Sequence, residues 1–407
     1  MQWNRKKKRH ILWLLTFLVT VSGNAHVLPA LAAGGKEPGK TENAIPDGYE
    51  EKQWEELCDQ VLTYEELGDR IELFNPNMII ANEQYWSAMD DVKDQYMAAY
   101  EDAEDFKDDA DDLREEGGLN TVEGNILYAT LRGYEKAMKS TGDQISRAYQ
   151  ANTRSNASSY EGIRKGAKQL TSGAQQVMIG YNQAVSQKNT LKTMNEMYEK
   201  LYAATISKKE LGMATEVDVM AAKKNLLASE NSLANLDNTI ENLRKTLCLL
   251  TGWTDGTMLN IQEVPPVDLA DIEKLNLTED TTLAIKNNDT IIAARHAKTD
   301  RSTAKVSAKL RNEDENIQNL SIKMEELYQD ILEKEKDCEA ARTAYDEAVV
   351  KKNAAEVQLE NGSISQIDYM GQMLSYFQAE GEKTSADLSL RQAMELYHWA
   401  TEGILDF

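Results

Sequence analysis

Leu211-Gly212-Met213-Ala214-Thr215-Glu216-Val217-Asp218-Val219-Met220 returns 150 positions later, without a gap, as Asn361-Gly362-Ser363-Ile364-Ser365-Gln366-Ile367-Asp368-Tyr369-Met370. Both copies read Gly-x-x-Ser/Thr-x-x-Asp. Glycine suits the left-handed position that closes a helix. The hydroxyl three residues on can cap the next helix, and the Asp at its third position can reach back to complete a capping box. The motif therefore predicts a tight turn between two long antiparallel helices, present twice.

The flanks extend the duplication. Asn75-Pro76-Asn77-Met78-Ile79-Ile80-Ala81 resembles Asn288-Asp289-Thr290-Ile291-Ile292-Ala293-Ala294, now 213 positions apart. The first copy thus holds about 63 extra residues, which fall at about 95–158. Proline is confined to Pro29, Pro38, Pro46, Pro76, Pro265 and Pro266, leaving 77–264 and 267–407 proline-free. Proline costs about 3 kcal/mol inside a helix, so such runs favour helix.

Heptads specify how those helices pack. Val219, Leu226, Leu233, Ile240 and Leu247 are seven apart, with Leu236, Leu243 and Leu250 in the companion row. Leu310, Ile317, Met324, Ile331, Cys338, Tyr345 and Leu359 form a second register broken at Lys352, with Ala341, Ala348 and Ala355 beside it. Repeats this long imply supercoiled packing. The fold class expected is all-α: long antiparallel helical hairpins in coiled-coil packing, tandem-duplicated.

Residues 1–32 read as a signal peptide: Arg5-Lys6-Lys7-Lys8-Arg9, an apolar run from Ile11 to Val21, and cleavage after Ala32. Cleavage would take the charge from -23 to -28. A retained anchor is the alternative, although the run is short for a span of about 30 Å. Residues 33–49 read as a flexible leader, 50–252 as the first repeat, 253–274 as a linker and 275–407 as the second repeat. Thr63 with Glu66 offers a capping box to a short helix ending at Asn75-Pro76. Cys58, Cys248 and Cys338 are an odd number for an exported chain, so at least one thiol stays free. Cys248 and Cys338 lie on apolar stripes and read as buried thiols.

The chain has 407 residues with 45 Lys+Arg against 68 Asp+Glu, a poor match for nucleic acid. The lone helix histidines His296 and His398 have no ligand-spaced partner, and hydrolase, phosphate-loop and nucleotide signatures are missing. No cofactor, metal site or enzymatic activity is expected.

In this order and duplicated, the motifs resemble the TolC family of outer membrane efflux proteins. The residues carrying the resemblance are Leu62-Thr63 with Glu65-Glu66, Asn75-Pro76, Gly212 to Val219 and Leu247 to Gly252 in the first copy. In the second they are Leu277-Thr278 with Glu279, Asn287-Asn288, Gly362 to Asp368 and Leu396 to Gly403. The resemblance implies an α-barrel protomer in a homotrimeric duct in the cell envelope. It also implies an adaptor (membrane-fusion) protein and a pump or ABC transporter as partners. Gly212, Thr215, Asp218, Gly362, Ser365 and Asp368 would then stand at the tip that docks on the adaptor. Rings of Asp218 or Asp368 would favour cations at the mouth, unless these carboxylates serve only as caps.

One departure is plain. Family members of the outer membrane insert β-strands where this chain has the acidic stretch 101–116 and Leu127, Leu131, Tyr134 and Met138 at helical spacing. That stretch reads as an extra helical hairpin, with Tyr128–Tyr134 one short strand at most. In the second copy Arg311–Asn316 offers a charged turn. A form lacking the β-barrel is expected. The competing reading is an exported coiled-coil scaffold without transport activity; the duplicated turn separates the two, since a simple rod does not need it.

Overall fold

The computed structural model describes residues 49–153, 158–253, 259–299 and 302–404. The expected signal peptide and nearly all of the leader lie outside them. The described residues form two compact units, one from residues within 49–271 and 331–395, the other from 272–330 and 396–404.

The larger unit opens with α1 (Glu51–Cys58), β1 (Val61–Leu62) and α2 (Leu67–Phe74). The Thr63–Glu66 hydrogen bonds form, but they close a turn, and regular helix starts only at Leu67. Then come α3 (Pro76–Glu115), a 3-10 turn (Gly118–Asn120), α4 (Val122–Asn152), α5 (Ser158–Glu210) and α6 (Glu216–Leu250). β2 (Asn260–Ile261) pairs in parallel with β1, Val61 against Asn260. This two-residue ladder is the one departure from all-α among the described residues. A short helix, α7 (Leu269–Glu273), follows.

Four long helices form a layer in the order α6, α5, α11 (Gln366–Thr401), α10 (Thr303–Glu360). The side-chain pairs set this order. Ser229 of α6 hydrogen-bonds to Asn195 of α5. Gln183 of α5 meets Ser389 of α11 at 3.5 Å, and Gly381 of α11 lies against Thr190. Arg342 of α10 meets Asp387 of α11 at 2.9 Å, and the Tyr345 and Tyr376 rings lie 5.7 Å apart. Along each pair one number rises as the other falls, so neighbours are antiparallel and both glycine turns lie at one end.

The first heptad register is buried or half-buried from Val219 to Leu250. The second is so from Ile317 onward, whereas Leu310 is exposed. Far from the turns, the layer widens into an apolar core of Leu62, Leu67, Ile71, Ala174, Met178, Ile179, Leu247 and Leu388. Burying each large side chain contributes about 1.5–3 kcal/mol, so this core anchors the unit. Arg70 is fully buried beside it. Its guanidinium donates to the Leu57 carbonyl and lies 4.5 Å from the Trp253 ring centroid. Burial lowers its pKa to about 10.

The acidic insertion is a helical hairpin of α3 and α4, and Tyr128–Tyr134 is helix, not strand. Of the residues at helical spacing, Leu131 and Met138 are half-buried and Tyr134 packs on Phe106 with ring centroids 5.4 Å apart, while Leu127 is exposed. Ala99, Ala103, Ala110 and Gly142 are buried. Polar pairs complete it: Tyr100 to Asp143 at 2.7 Å, and Arg132 to Asp111 at 3.3 Å.

In the smaller unit, Asn276 caps α8 (Leu277–Asn287) and Asn288 caps α9 (Asp289–His296). The expected turn at 311–316 is helical, since α10 runs unbroken from Thr303. The preceding helix ends at His296, and residues 297–299 carry no regular structure. Arg295 reaches Glu313 at 2.7 Å, and Lys309 donates to the Arg295 carbonyl at 2.6 Å, so Glu313, assigned to a turn, helps bind α9 to α10.

Candidate functional site

The turns at Gly212 and Gly362 are built alike, atom for atom. Gly212 has φ 72° and Gly362 φ 68°. Met213 N–H donates to the Lys208 carbonyl at 2.8 Å and Gly212 N–H to Lys209 at 2.9 Å. In the second turn Ser363 donates to Gln358 at 2.8 Å and Gly362 to Leu359 at 3.0 Å. This double bond is the Schellman closure.

The following helix is capped reciprocally. Asp218 N–H donates to Thr215 Oγ1 at 3.2 Å, and Thr215 N–H returns to Asp218 Oδ2 at 2.8 Å. Ser365 and Asp368 repeat this at 3.2 and 3.3 Å. Both hydroxyls also donate to the carboxylate at 2.7 Å. The Thr215 backbone bond, then its hydroxyl, holds the Asp218 pKa below its ordinary value. For Asp368 the Ser365 hydroxyl comes first, then its backbone, with Lys208 of the neighbouring hairpin adding a smaller attraction. These two carboxylates therefore act as caps, whatever else meets them.

Around identical backbones the surfaces differ. At the first turn Leu211 is 73% exposed, Met213 71% and Val217 69%. At the second, the corresponding positions hold Asn361, Ser363 and a half-buried Ile367. One turn presents an apolar knob, the other a polar one. Sequence reasoning placed the six turn residues together at one end but missed this inequality. The signal was available: Leu211, Met213 and Val217 lie off the heptad register that Val219 begins.

The two helices at the edges of the layer, α6 and α10, each carry an exposed apolar stripe. On α6 it is Val217, Met220 and Leu227; on α10 it is Val350 and Val357.

A second duplicated construction lies at the opposite ends of the hairpins. Asn75 caps α3 and donates its amide to the Leu250 carbonyl at 2.8 Å. In the smaller unit the same tasks fall to two residues. Asn288 caps α9, while Asn287 donates to the Thr401 carbonyl at 2.9 Å. Gly252 (φ 78°) and Gly403 (φ 75°) end the hairpins against Phe74 and Asn287. A methyl added at either would overlap that residue's carbonyl.

His296 and His398 are exposed. Among the described residues no cluster of His, Cys, Asp and Glu has metal-holding geometry. Cys58, Cys248 and Cys338 are free, and burial raises the Cys338 thiol to about 11. No described helix is long and apolar enough to cross a membrane.

No protein-family model and no curated protein matches the chain. In structure it is similar to a membrane protein from Pseudomonas aeruginosa, at 15% identity and TM-score 0.47, covering 65% of this chain and 71% of that one. It is also similar to the outer-membrane channel OprN, at 11% identity and TM-score 0.45, covering 94% and 98%. The outer membrane channel CmeC of Campylobacter jejuni gives 15%, TM-score 0.38, and 68% of each chain.

Proposed function

We propose that the chain is the duct component of an envelope efflux or export system, a TolC-like protomer working as a homotrimer. It performs no reaction. The turn end meets an adaptor protein, and a pump or ABC transporter that contacts the adaptor supplies the energy. Gly212, Thr215, Asp218, Gly362, Ser365 and Asp368 are the docking residues in this reading. The apolar knob of Leu211 and Met213 supplies the contact, and the polar second turn sets orientation.

One observation carries the proposal. Two long hairpins lie side by side with Schellman-and-capping-box turns brought to one end. A solid rod has no use for a paired, exposed and self-satisfied end. Acidic side chains along the layer suit a wet interior. The test is light scattering coupled to sizing and small-angle scattering on the full chain, alone and with the adaptor proteins of its own envelope. A hollow, elongated trimer is expected, with a complex that Met213→Asp abolishes. A solid monomeric or dimeric rod in every mixture would overturn the duct and leave a scaffold.

A further inference from the structure

The α3–α4 arm takes no part in the contacts of the duct. It departs from the layer at the end opposite the glycine turns, since α3 begins at Asn75, whose amide reaches Leu250 at the far end of α6. The arm is paired from Tyr85, which donates to the Asn152 carbonyl, out to Asp111 beside Arg132. From Tyr85 to Gly117 it extends about 50 Å, at about 1.5 Å per residue.

Its tip is apolar and open. On the first turns of α4, Val122 is 73% exposed, Ile126 63% and Leu127 50%. Val122 and Ile126 are four apart, and Ala129, Gly133 and Ala137, all exposed, continue their face at helical spacing. The seam with α3 lies on the other side of α4, at Leu131, Glu135, Met138 and Gly142. Single exposed apolar residues are ordinary, but three large ones together make a face of the kind that meets a partner. The tip is also preformed. Thr121 Oγ1 accepts from the Gly124 N–H at 3.0 Å, and the Asn125 amide donates to the Leu119 carbonyl at 2.7 Å.

Charge indicates which partner fits. Residues 107–127 hold seven acids against two bases. Both bases are paired within that run, Lys107 with Asp108 at 3.7 Å and Arg114 with Asp111 at 3.4 Å. Arg132, next along α4, is held by Asp111 at 3.3 Å and Glu135 at 2.8 Å. Lys136 and Lys139 are exposed, but they stand about 15 Å or more down the helix from Ile126. Glu123 adjoins Val122, and Glu115 and Glu116 end α3 beside the turn; all three are exposed. Two such tips repel each other, and an anionic lipid surface repels either one.

We propose that the tip of the arm docks a cationic amphipathic helix of another protein. The apolar stripe of that helix lies on Val122, Ile126 and Leu127, and its Lys or Arg residues meet Glu115, Glu116 and Glu123. The small residues at 129, 133 and 137 let the two helix backbones approach closely. Apolar contact supplies the affinity, while the carboxylates speed encounter and select the partner. The surface is separate from the glycine turns, so this proposal and the duct stand or fall independently.

The full chain is titrated with a fluorescent helix of Leu and Lys that has one apolar and one basic face. One peptide per chain is expected. Val122→Ser, Ile126→Ser and Leu127→Ser together leave every charge in place and should weaken binding about tenfold. Glu115→Gln, Glu116→Gln and Glu123→Gln together should weaken it as much and flatten its dependence on salt. Glu101→Gln, Asp102→Asn and Glu104→Gln remove the same charge about 20 Å from the tip, beyond the screening length of about 10 Å, and should change binding less than about twofold. Helical circular dichroism is expected to hold throughout. A serine variant that binds like the native chain would reduce the contact to general electrostatic attraction and overturn the proposal. Equal binding of the peptide with Glu in place of every Lys, or no binding at all, would overturn it too. Self-association of the native chain that the serine variant loses would assign the face to a second copy. Cosedimentation with phosphatidylcholine vesicles, lost in the same variant, would assign it to a membrane; either result overturns the proposal. Should the serine variant lose helix, the two charge-removing sets decide alone, and equal weakening by both overturns it.

Discussion

The two hairpins share a backbone and differ in what they show to solvent. Both close through a left-handed glycine and a hydroxyl–carboxylate cap, and both end on a glycine pressed against a carbonyl. Yet one has an acidic arm of α3 and α4 and an apolar turn, and the other has an eight-residue α9 and a polar turn. Backbone groups that must be satisfied leave few solutions, so those positions repeat. Outward side chains face no such constraint, and there the copies part. Asn75 shows the same principle within a closure. One residue there does what Asn287 and Asn288 divide between them.

The comparison breaks most readily at the glycines. At Gly252 a new Cβ would lie 2.7 Å from the Phe74 carbonyl carbon, and at Gly403 it would lie 2.6 Å from that of Asn287. Gly252→Ala and Gly403→Ala should each cost about 3 kcal/mol or more, read by denaturant unfolding. At Gly212 and Gly362 nothing stands within 4 Å of the added atom. Alanine there should cost only the left-handed backbone term, about 1–2 kcal/mol. Equal losses at all four positions would mean that the clash at the closures is relieved by movement.

A smaller effect sharpens the division of labour. Asn75→Ala removes a cap and leaves the Leu250 carbonyl without its amide, for about 2–3 kcal/mol. Asn287→Ala and Asn288→Ala should each cost about 1 kcal/mol, and together approach Asn75→Ala. If Asn288→Ala alone matches Asn75→Ala, the bridge to the hairpin end contributes nothing.

The smallest effect is one of pH. The folded-state pKa values of Asp218 and Asp368 lie below the ordinary 3.8. Their stabilising contribution is therefore complete above about pH 4 and is lost as pH falls through the lowered values. Asp218→Asn and Asp368→Asn should each flatten the acid limb of the melting temperature and leave its value near neutrality almost unchanged. An unaltered acid limb in both variants would show that neither cap is coupled to global unfolding.

Much of this fold was legible because it is written in backbone chemistry. Gly-x-x-Ser/Thr-x-x-Asp has few geometric solutions, and Asn-Pro announces a helix start. The heptads from Val219 and Ile317 likewise predicted their own burial. What failed was decided by tertiary contact. Arg311–Asn316 contains no breaker, and its charges are as compatible with helix as with turn; the pairing of Arg295 with Glu313 shows what they serve. Of the four residues at helical spacing on α4, Leu131 and Met138 are half-buried and Tyr134 packs on Phe106, while Leu127 on the same spacing stays exposed, and the spacing alone does not say which of them the partner helix covers. A ladder of two residues, Val61–Leu62 with Asn260–Ile261, lies below any pattern. At the candidate site the turn geometry was legible from Gly-x-x-Ser/Thr-x-x-Asp, while the unequal surfaces of the two turns depend on exposure.

The turns have a kinetic consequence. Their glycine and capping N–H groups are spoken for within the turn itself, so little of this end has to be ordered when something meets it. Encounter with a rigid, preformed surface carries a small entropic toll and needs no slow rearrangement. Complexes formed there would be quick to assemble and, where the apolar contact is confined to one knob, quick to come apart. Such an end suits repeated engagement better than permanent attachment.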